Sequence, residues 1–181
     1  NKGLRLTSGE IVGYLNSDDL LESGCLISVS RFFVNNPSCF WVTGKCYIID
    51  EKNERIRSFI TGYKNIYLKF LRKYAYLFVI NYISQPATFV RRKIIDDIGL
   101  FDDSLYFSMD YDYWLRIFVR HKLGFIEKYL ASFRVHHASK GNLDLIKQLK
   151  ESYMIASKYS SSKFLLQTHR IHDAMTTFLY K

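Results

Sequence analysis

The first clear pattern along the chain is an unbroken apolar run, Ile11-Val12-Gly13-Tyr14-Leu15, that ends abruptly in Asn16-Ser17-Asp18-Asp19. A run without polar alternation suits a strand buried on both faces of a parallel sheet, and ligands collect beyond the carboxyl ends of such strands. Two adjacent carboxylates repel each other and lose hydration there. A divalent cation sharing their charge is one reading, and a helix cap formed by Ser17 or Asp18 is the other.

Further on, Leu26, Val29 and Phe33 keep helical spacing from a Ser23 cap to about Asn36, where Asn36-Pro37 is a stop. Phe40 to Ile49 reads as a strand, Asp50 to Glu54 as a charged turn, and Arg55 to Ile60 as a shorter returning strand. Tyr63 to Ile83 reads as one amphipathic helix. Tyr67, Phe70, Leu71, Tyr74, Leu77 and Phe78 make its apolar face, and Lys64, Lys69, Arg72 and Lys73 decorate another. Such a helix either packs on the sheet or lies on an anionic membrane surface. Its apolar portion, Tyr74 to Ile83, is interrupted by Asn81 and falls short of the roughly 20 residues that span a bilayer. Arg92 to Ile98 forms a short helix closed by Gly99 in a left-handed cap, and Ser108 caps a helix through about Arg120. Leu130 to Val135 ends a strand, and two helices separated near Ser160 to Ser162 complete the chain.

With 181 residues, 48% of them apolar and 17% aromatic, the chain can build one substantial core, which excludes disorder. The net charge of +9 favours an anionic partner, whether nucleic acid, a membrane surface or a phosphorylated substrate. Cys25, Cys39 and Cys46 are odd in number and lack Cys-x-x-Cys pairing, so free thiols and a cytoplasmic address are expected. The chain has no initiator Met and no signal segment before Asn1, and is expected to begin inside a longer protein. His169 and His172 stand three apart on a helix; solvent-exposed histidines are the favoured reading over a metal pair.

A second acidic cluster, Gly99-Leu100-Phe101-Asp102-Asp103-Ser104-Leu105 followed by Met109-Asp110-Tyr111-Asp112-Tyr113-Trp114-Leu115-Arg116, changes the picture. With Asn16 to Asp19, Ser84-Gln85-Pro86-Ala87-Thr88-Phe89-Val90-Arg91-Arg92 and Phe133-Arg134-Val135-His136, it makes five motifs in fixed order. The order closely resembles family two glycosyltransferases of the GT-A fold, whose elements read NSDD or DADD, QPATFFRR, GGFDESL, (E/D)DYDLWLR and FRxH. The resemblance spans about residues 1–140. It implies an α/β fold, a mixed sheet flanked by helices, in which residues 1–140 are the C-terminal part of the transferase domain. A nucleotide-binding first half would precede Asn1, and 141–181 would be a helical tail packed on the domain.

The resemblance also implies chemistry. The function would be transfer, with inversion, of a sugar from a nucleotide-diphosphate donor to a saccharide or lipid-linked acceptor. Asp18, Asp19 and His136 would hold Mg²⁺ or Mn²⁺, and Asn1, Lys2, Asn16 and Asp18 would serve the donor. Asn16 stands where the family's DxDD pattern begins with Asp. Gln85, Arg91 and Trp114 would lie on the acceptor side, with Trp114 either stacking on a sugar or filling core. The family's paired acids map onto Met109-Asp110, which makes Asp110 the general base and Asp112 a supporting acid. Residues two apart diverge by roughly 200° around a helix, so Asp110 and Asp112 cannot both face one cleft and one should be structural. Peripheral membrane contact is an accompanying expectation, and nucleic acid is not expected as a partner. Other readings are a basic membrane- or nucleic-acid-binding module, or an inactive remnant of a transferase.

Overall fold

A computed structural model describes residues 1–137 and 144–179, with no side-chain description at Leu179. Five strands form one mixed sheet: β1 (Ile11–Gly13), β2 (Leu20–Leu21), β3 (Trp41–Ile49), β4 (Thr88–Arg91) and β5 (Gly124–Arg134), in the order β1-β4-β3-β5-β2. β3 runs parallel to β5 and antiparallel to β4, and both outer pairs are antiparallel.

Alternation on the central strand divides the core. Trp41 and Val42, both fully buried, point to opposite faces. Val42 joins Cys25, Val29 and Phe33 of α2 (Cys25–Asn35), together with Phe89 and Leu130. Trp41 joins the aromatic-rich opposite face, made by α4 (Tyr74–Leu77), α6 (Met109–Arg120) and α7 (Leu145–Tyr159). There the Trp41 ring stacks on Trp114 at 5.8 Å, and its indole N–H donates to the His121 carbonyl at 3.0 Å. The remaining helices are α1 (Lys2–Leu6), α3 (Ser58–Phe70), α5 (Arg92–Ile98) and α8 (Lys163–Leu179).

Several expectations are corrected. The run Ile11 to Leu15 is not a doubly buried parallel strand: β1 is three residues long, pairs antiparallel with β4 alone, and buries only Val12. Arg55 to Ile60 does not return as a strand. One bridge, Ile49 to Arg55, forms before α3 begins at Ser58, because Arg57 takes up left-handed backbone and turns the chain away. The expected helix Tyr63 to Ile83 is two helices broken at Leu71 to Lys73, and its aromatic residues other than Phe70 pack on the core. Leu68, Leu77, Phe78, Tyr82 and Ile83 are core, and Tyr67 stacks on Tyr82. Most of that face is taken up by the protein interior, whereas Phe70 stays on the surface. Among the described residues no helix is long and apolar enough to cross a membrane.

The N-cap of α2 is Gly24 at φ +73, a backbone that suits glycine, in place of Ser23. Gly99 does close α5 with positive φ, but its ψ of −160 makes the turn extended and not left-handed helical. Ser108 occupies the N-cap of α6 without using its hydroxyl on that helix. Glu151 of α7 supplies the missing acceptor, taking the N–H groups of Tyr106, Phe107 and Ser108 at 3.0, 2.8 and 2.6 Å. His169 is buried, not exposed: Nδ1 lies 2.8 Å from the Phe78 carbonyl and Nε2 3.4 Å from Asp173.

Candidate functional site

The acidic loop owes its place to strand order. β1 lies at one edge of the sheet and β2 at the other, so residues 14–19 must cross from one side to the opposite one. β3 and β5 stay paired to Ile49 and Arg134, through a register shift around Lys45, well past the level where β4 begins at Thr88. The crossing loop lies against this step and meets the residues at the end of β5.

Arg134 is the anchor. Its backbone N–H donates to Asp19 Oδ1 at 2.9 Å, and its Nε donates to the Asp18 carbonyl at 2.8 Å. The two terminal nitrogens reach the Asp50 carbonyl at 2.6 Å and Asn53 Oδ1 at 2.7 Å. One guanidinium thus ties the acidic loop to the turn after β3. The other Asp19 oxygen accepts from the Asn16 amide at 3.0 Å, and the same amide lies 3.3 Å from Gln85 Oε1. Gln85 in turn donates to the Tyr14 carbonyl. Burial raises the Asp19 pKa above the usual carboxylate value, opposed by the Arg134 N–H and the Asn16 amide. Asp19 therefore holds the loop together with both oxygens, a different part from the shared metal ligand expected for it.

Asp18 is left to face outward, and its Oδ2 lies 3.1 Å from His136 Nε2. Two ligands bound side by side to one octahedral ion at about 2.1 Å stand about 3 Å apart, so this carboxylate and imidazole fit a hard divalent cation that takes its other ligands from phosphate or water. Among the described residues no group of three or more His, Cys, Asp or Glu side chains converges.

Asp110 and Asp112 separate as the helical geometry requires. Asp112 is 1% exposed, accepts from Arg116 Nε at 2.8 Å and from the Tyr159 hydroxyl at 2.7 Å, and is the structural acid of the pair. Arg116 also donates to the carbonyls of Ile98 and Leu100, so this network joins α5, α6 and α7. Asp110, in the first turn, accepts the Tyr111 N–H at 2.7 Å. Its carboxyl is held above the usual range by burial, a trend opposed by the Tyr111 N–H, the Lys64 charge and an Asn81 hydrogen bond. A desolvated carboxyl with a raised pKa is better matched to taking a proton near neutrality than an exposed one.

The other expected site residues are placed elsewhere. Asn1 bonds both ways to Phe101 (Nδ2 to the carbonyl at 2.9 Å, Oδ1 from the N–H at 3.1 Å), tying α1 to the turn after α5. Lys2 is exposed on α1. The Arg91 guanidinium is spent on Cys39 and Phe33 carbonyls and on Glu10 at 2.6 Å, which locks β4 to the end of α2 and not to an acceptor. Trp114 offers no face to a sugar, being 3% exposed and stacked on Trp41. Its N–H has no partner among the described residues, and Trp114 borders, with Gln85, a cavity of about 20 Å³, room for a single water.

Lys64 and Asn81, which oppose the rise of the Asp110 pKa, carried no functional assignment in the sequence. Lys64 was hidden in what read as a solvated basic face; Asn81 left a trace as the polar break in an apolar run.

Comparison with known proteins identifies the family. A family model described as "Glycosyl transferase family 2" matches residues 1–99. A protein of Methanocaldococcus jannaschii named "Uncharacterized glycosyltransferase MJ1057" is 25% identical over 164 residues, which is 90% of this chain and 55% of that protein. The crystal structure of S. aureus TarS superposes with a TM-score of 0.56 at 12% identity, covering 92% of this chain and 28% of TarS. The chain thus spans about half the length of the curated relative, and the likeness to TarS is one of fold. With more than half of its residues inside the family match, the chain belongs to glycosyl transferase family 2.

Proposed function

We propose that this chain carries the catalytic end of a glycosyltransferase that moves a sugar from a nucleotide-diphosphate donor to a hydroxyl of a saccharide or lipid-linked acceptor, in one inverting displacement. Asp18 and His136 would hold Mg²⁺ or Mn²⁺, which when bound neutralises charge developing on the leaving diphosphate. Asp110 takes the proton of the attacking hydroxyl. Asn16 and Gln85 meet at 3.3 Å beside Asp19, and such amides can both donate to and accept from sugar hydroxyls.

The observation that carries this reading is the division of labour among four carboxylates. Asp19 and Asp112 are saturated by internal bonds, while Asp18 meets an imidazole and Asp110 sits desolvated at a helix start. The names of the family and of the archaeal relative support the reaction class. The test is transfer by the natural full-length protein across a panel of nucleotide sugars with added Mn²⁺. Asp110→Asn should keep donor binding and lose about 10²–10⁴-fold in turnover, the usual contribution of a general base. Undiminished transfer by that variant would overturn the assignment.

A further inference from the structure

Two neighbouring helices leave an apolar face in water. Tyr63 of α3 and His172 of α8 stack with ring centroids 6.2 Å apart and planes 11° from parallel, so the helices lie side by side there. At about 100° per residue, Phe59, Ile66 and Phe70 fall within about 40° of one another around α3, on a line beside Tyr63 and opposite the buried Thr61 and Leu68. Around α8, Ile171, Met175 and Phe178 fall within about 60°, beside His172 and turned away from the buried His169. Leu68 of α3 and Leu165 and Leu166 of α8 join one core cluster, so both lines lie on the outer side of the pair. Each of the six side chains is between 53% and 81% exposed. The three phenylalanines, at about 150–250 Å² each, alone leave roughly 450 Å² in water. Singly exposed apolar residues are ordinary, but a shared face of this size matches the largest patch of a typical monomer, about 300–600 Å², and such patches mark interaction sites.

Charge identifies the partner. From Arg55 to Lys73 the chain carries six basic residues and no acid. Lys69, Arg72 and Lys73 are exposed at the end of the α3 line, and Lys163 and Arg170 are exposed on α8. The one acid of α8, Asp173, is held by His169 and His172 at 3.4 and 3.8 Å, and Glu127 of β5 lies between Lys69 and Lys45 at 2.6 and 3.6 Å. A second copy of the chain would set the same basic border against itself. An uncharged partner would leave the cations without counter-ions. A bilayer with anionic headgroups supplies both an apolar layer and phosphates around it.

We propose that the outer face of α3 and α8 docks on an anionic lipid surface, with Phe59, Phe70, Met175 and Phe178 entering the boundary between headgroups and acyl chains while the bordering lysines and arginines meet lipid phosphates. This is not the face that the sequence pattern offered to a membrane; the two share Phe70 alone. The docking stands on the two helices and is independent of the parts assigned to Asp18 and Asp110.

The experiment is flotation of the natural full-length protein with phosphatidylcholine vesicles, with and without phosphatidylglycerol, at low and high salt. The protein should float with the anionic vesicles and not with the neutral ones, and less of it should float as salt rises, because exposed charges are screened over about 8 Å at physiological ionic strength. Phe70→Ser and Met175→Ser should each weaken binding by about 10-fold, as when about half of one large side chain's transfer from water is lost. Lys73→Glu should weaken it at low salt and converge with wild type at high salt. Val34→Ser, which removes a side chain as exposed on α2, should change nothing. Phe70→Trp should add fluorescence, absent from wild type, that brominated lipid quenches.

No flotation with anionic vesicles, or flotation unchanged by both Phe70→Ser and Met175→Ser, overturns the proposal. So does either other cover for the face. A dimer in sedimentation velocity that these two substitutions split shows a second copy there, and a melting temperature that they lower shows the remainder of the full-length chain lying over it.

Discussion

Replacing Asp112 and Asp110 in turn tests whether the two acids have the separate parts assigned to them. Asp112→Ala removes two short charge-assisted hydrogen bonds, at 2.8 Å from Arg116 and 2.7 Å from Tyr159. Breaking a buried pair by deleting one partner costs about 3–5 kcal/mol, since the other charge is left without compensation. Here the lower end applies: the Arg116 side chain is 23% exposed and keeps two carbonyl acceptors, so water and backbone share its charge. A loss of about 3 kcal/mol in a domain of this size lowers the melting temperature by about 6–12 °C.

Asp110→Asn should do the reverse. Because burial raises the Asp110 pKa, the fold favours the protonated form, and the carboxylate works against folding once the pH rises through its folded value. The neutral amide should therefore match or exceed wild-type stability at pH 7, with the difference vanishing below the unfolded carboxyl value of about 3.9. Urea denaturation of both variants at pH 7 and again at low pH measures this directly. A protein in which Asp110→Asn unfolds as easily as Asp112→Ala, or in which Asp112→Ala melts with wild type, would refute the division.

Three other outcomes are expected. Calorimetric titration of Mn²⁺ in the presence of a nucleoside diphosphate should show binding weakened by Asp18→Ala and by His136→Ala, each without loss of fold, because those side chains face each other at 3.1 Å and not the core. Arg134→Ala releases the acidic loop from the Asp50 and Asn53 turn, so donor KM should rise more than kcat falls in steady-state kinetics. Glu151→Ala strips three backbone N–H groups of their acceptor at the entry to α6 and should cost about 2–3 kcal/mol by chemical denaturation, the scale of hydrogen bonds to a charged group.

Local pattern alone determined a good deal. The helices Cys25–Asn35, Arg92–Ile98 and Met109–Arg120, the long strand to Ile49, and the two terminal helices parted near Ser160 all follow from apolar spacing and chain-breaking residues. That Asp110 and Asp112 cannot share a cleft also follows from 3.6 residues per turn alone, and the structure divides them in that way.

Tertiary structure decided the rest, and for identifiable reasons. An apolar run does not reveal how many neighbours a strand has, so Ile11 to Gly13 read as central although the sheet places it at an edge. Periodicity assigns faces of a helix but not which face meets the protein, so Lys64 read as a solvated cation although burial against the fold pushes its pKa down. Motif membership grouped Arg91 and Trp114 with the site, yet the hydrogen bonds of one and the stacking of the other are made by partners far away in the sequence. Asp18 and Asp19, adjacent in the chain, were given one task by their order. They received two because the backbone N–H of Arg134, arriving from 115 residues downstream, and the Asn16 amide engage the two oxygens of Asp19 and leave its neighbour facing His136.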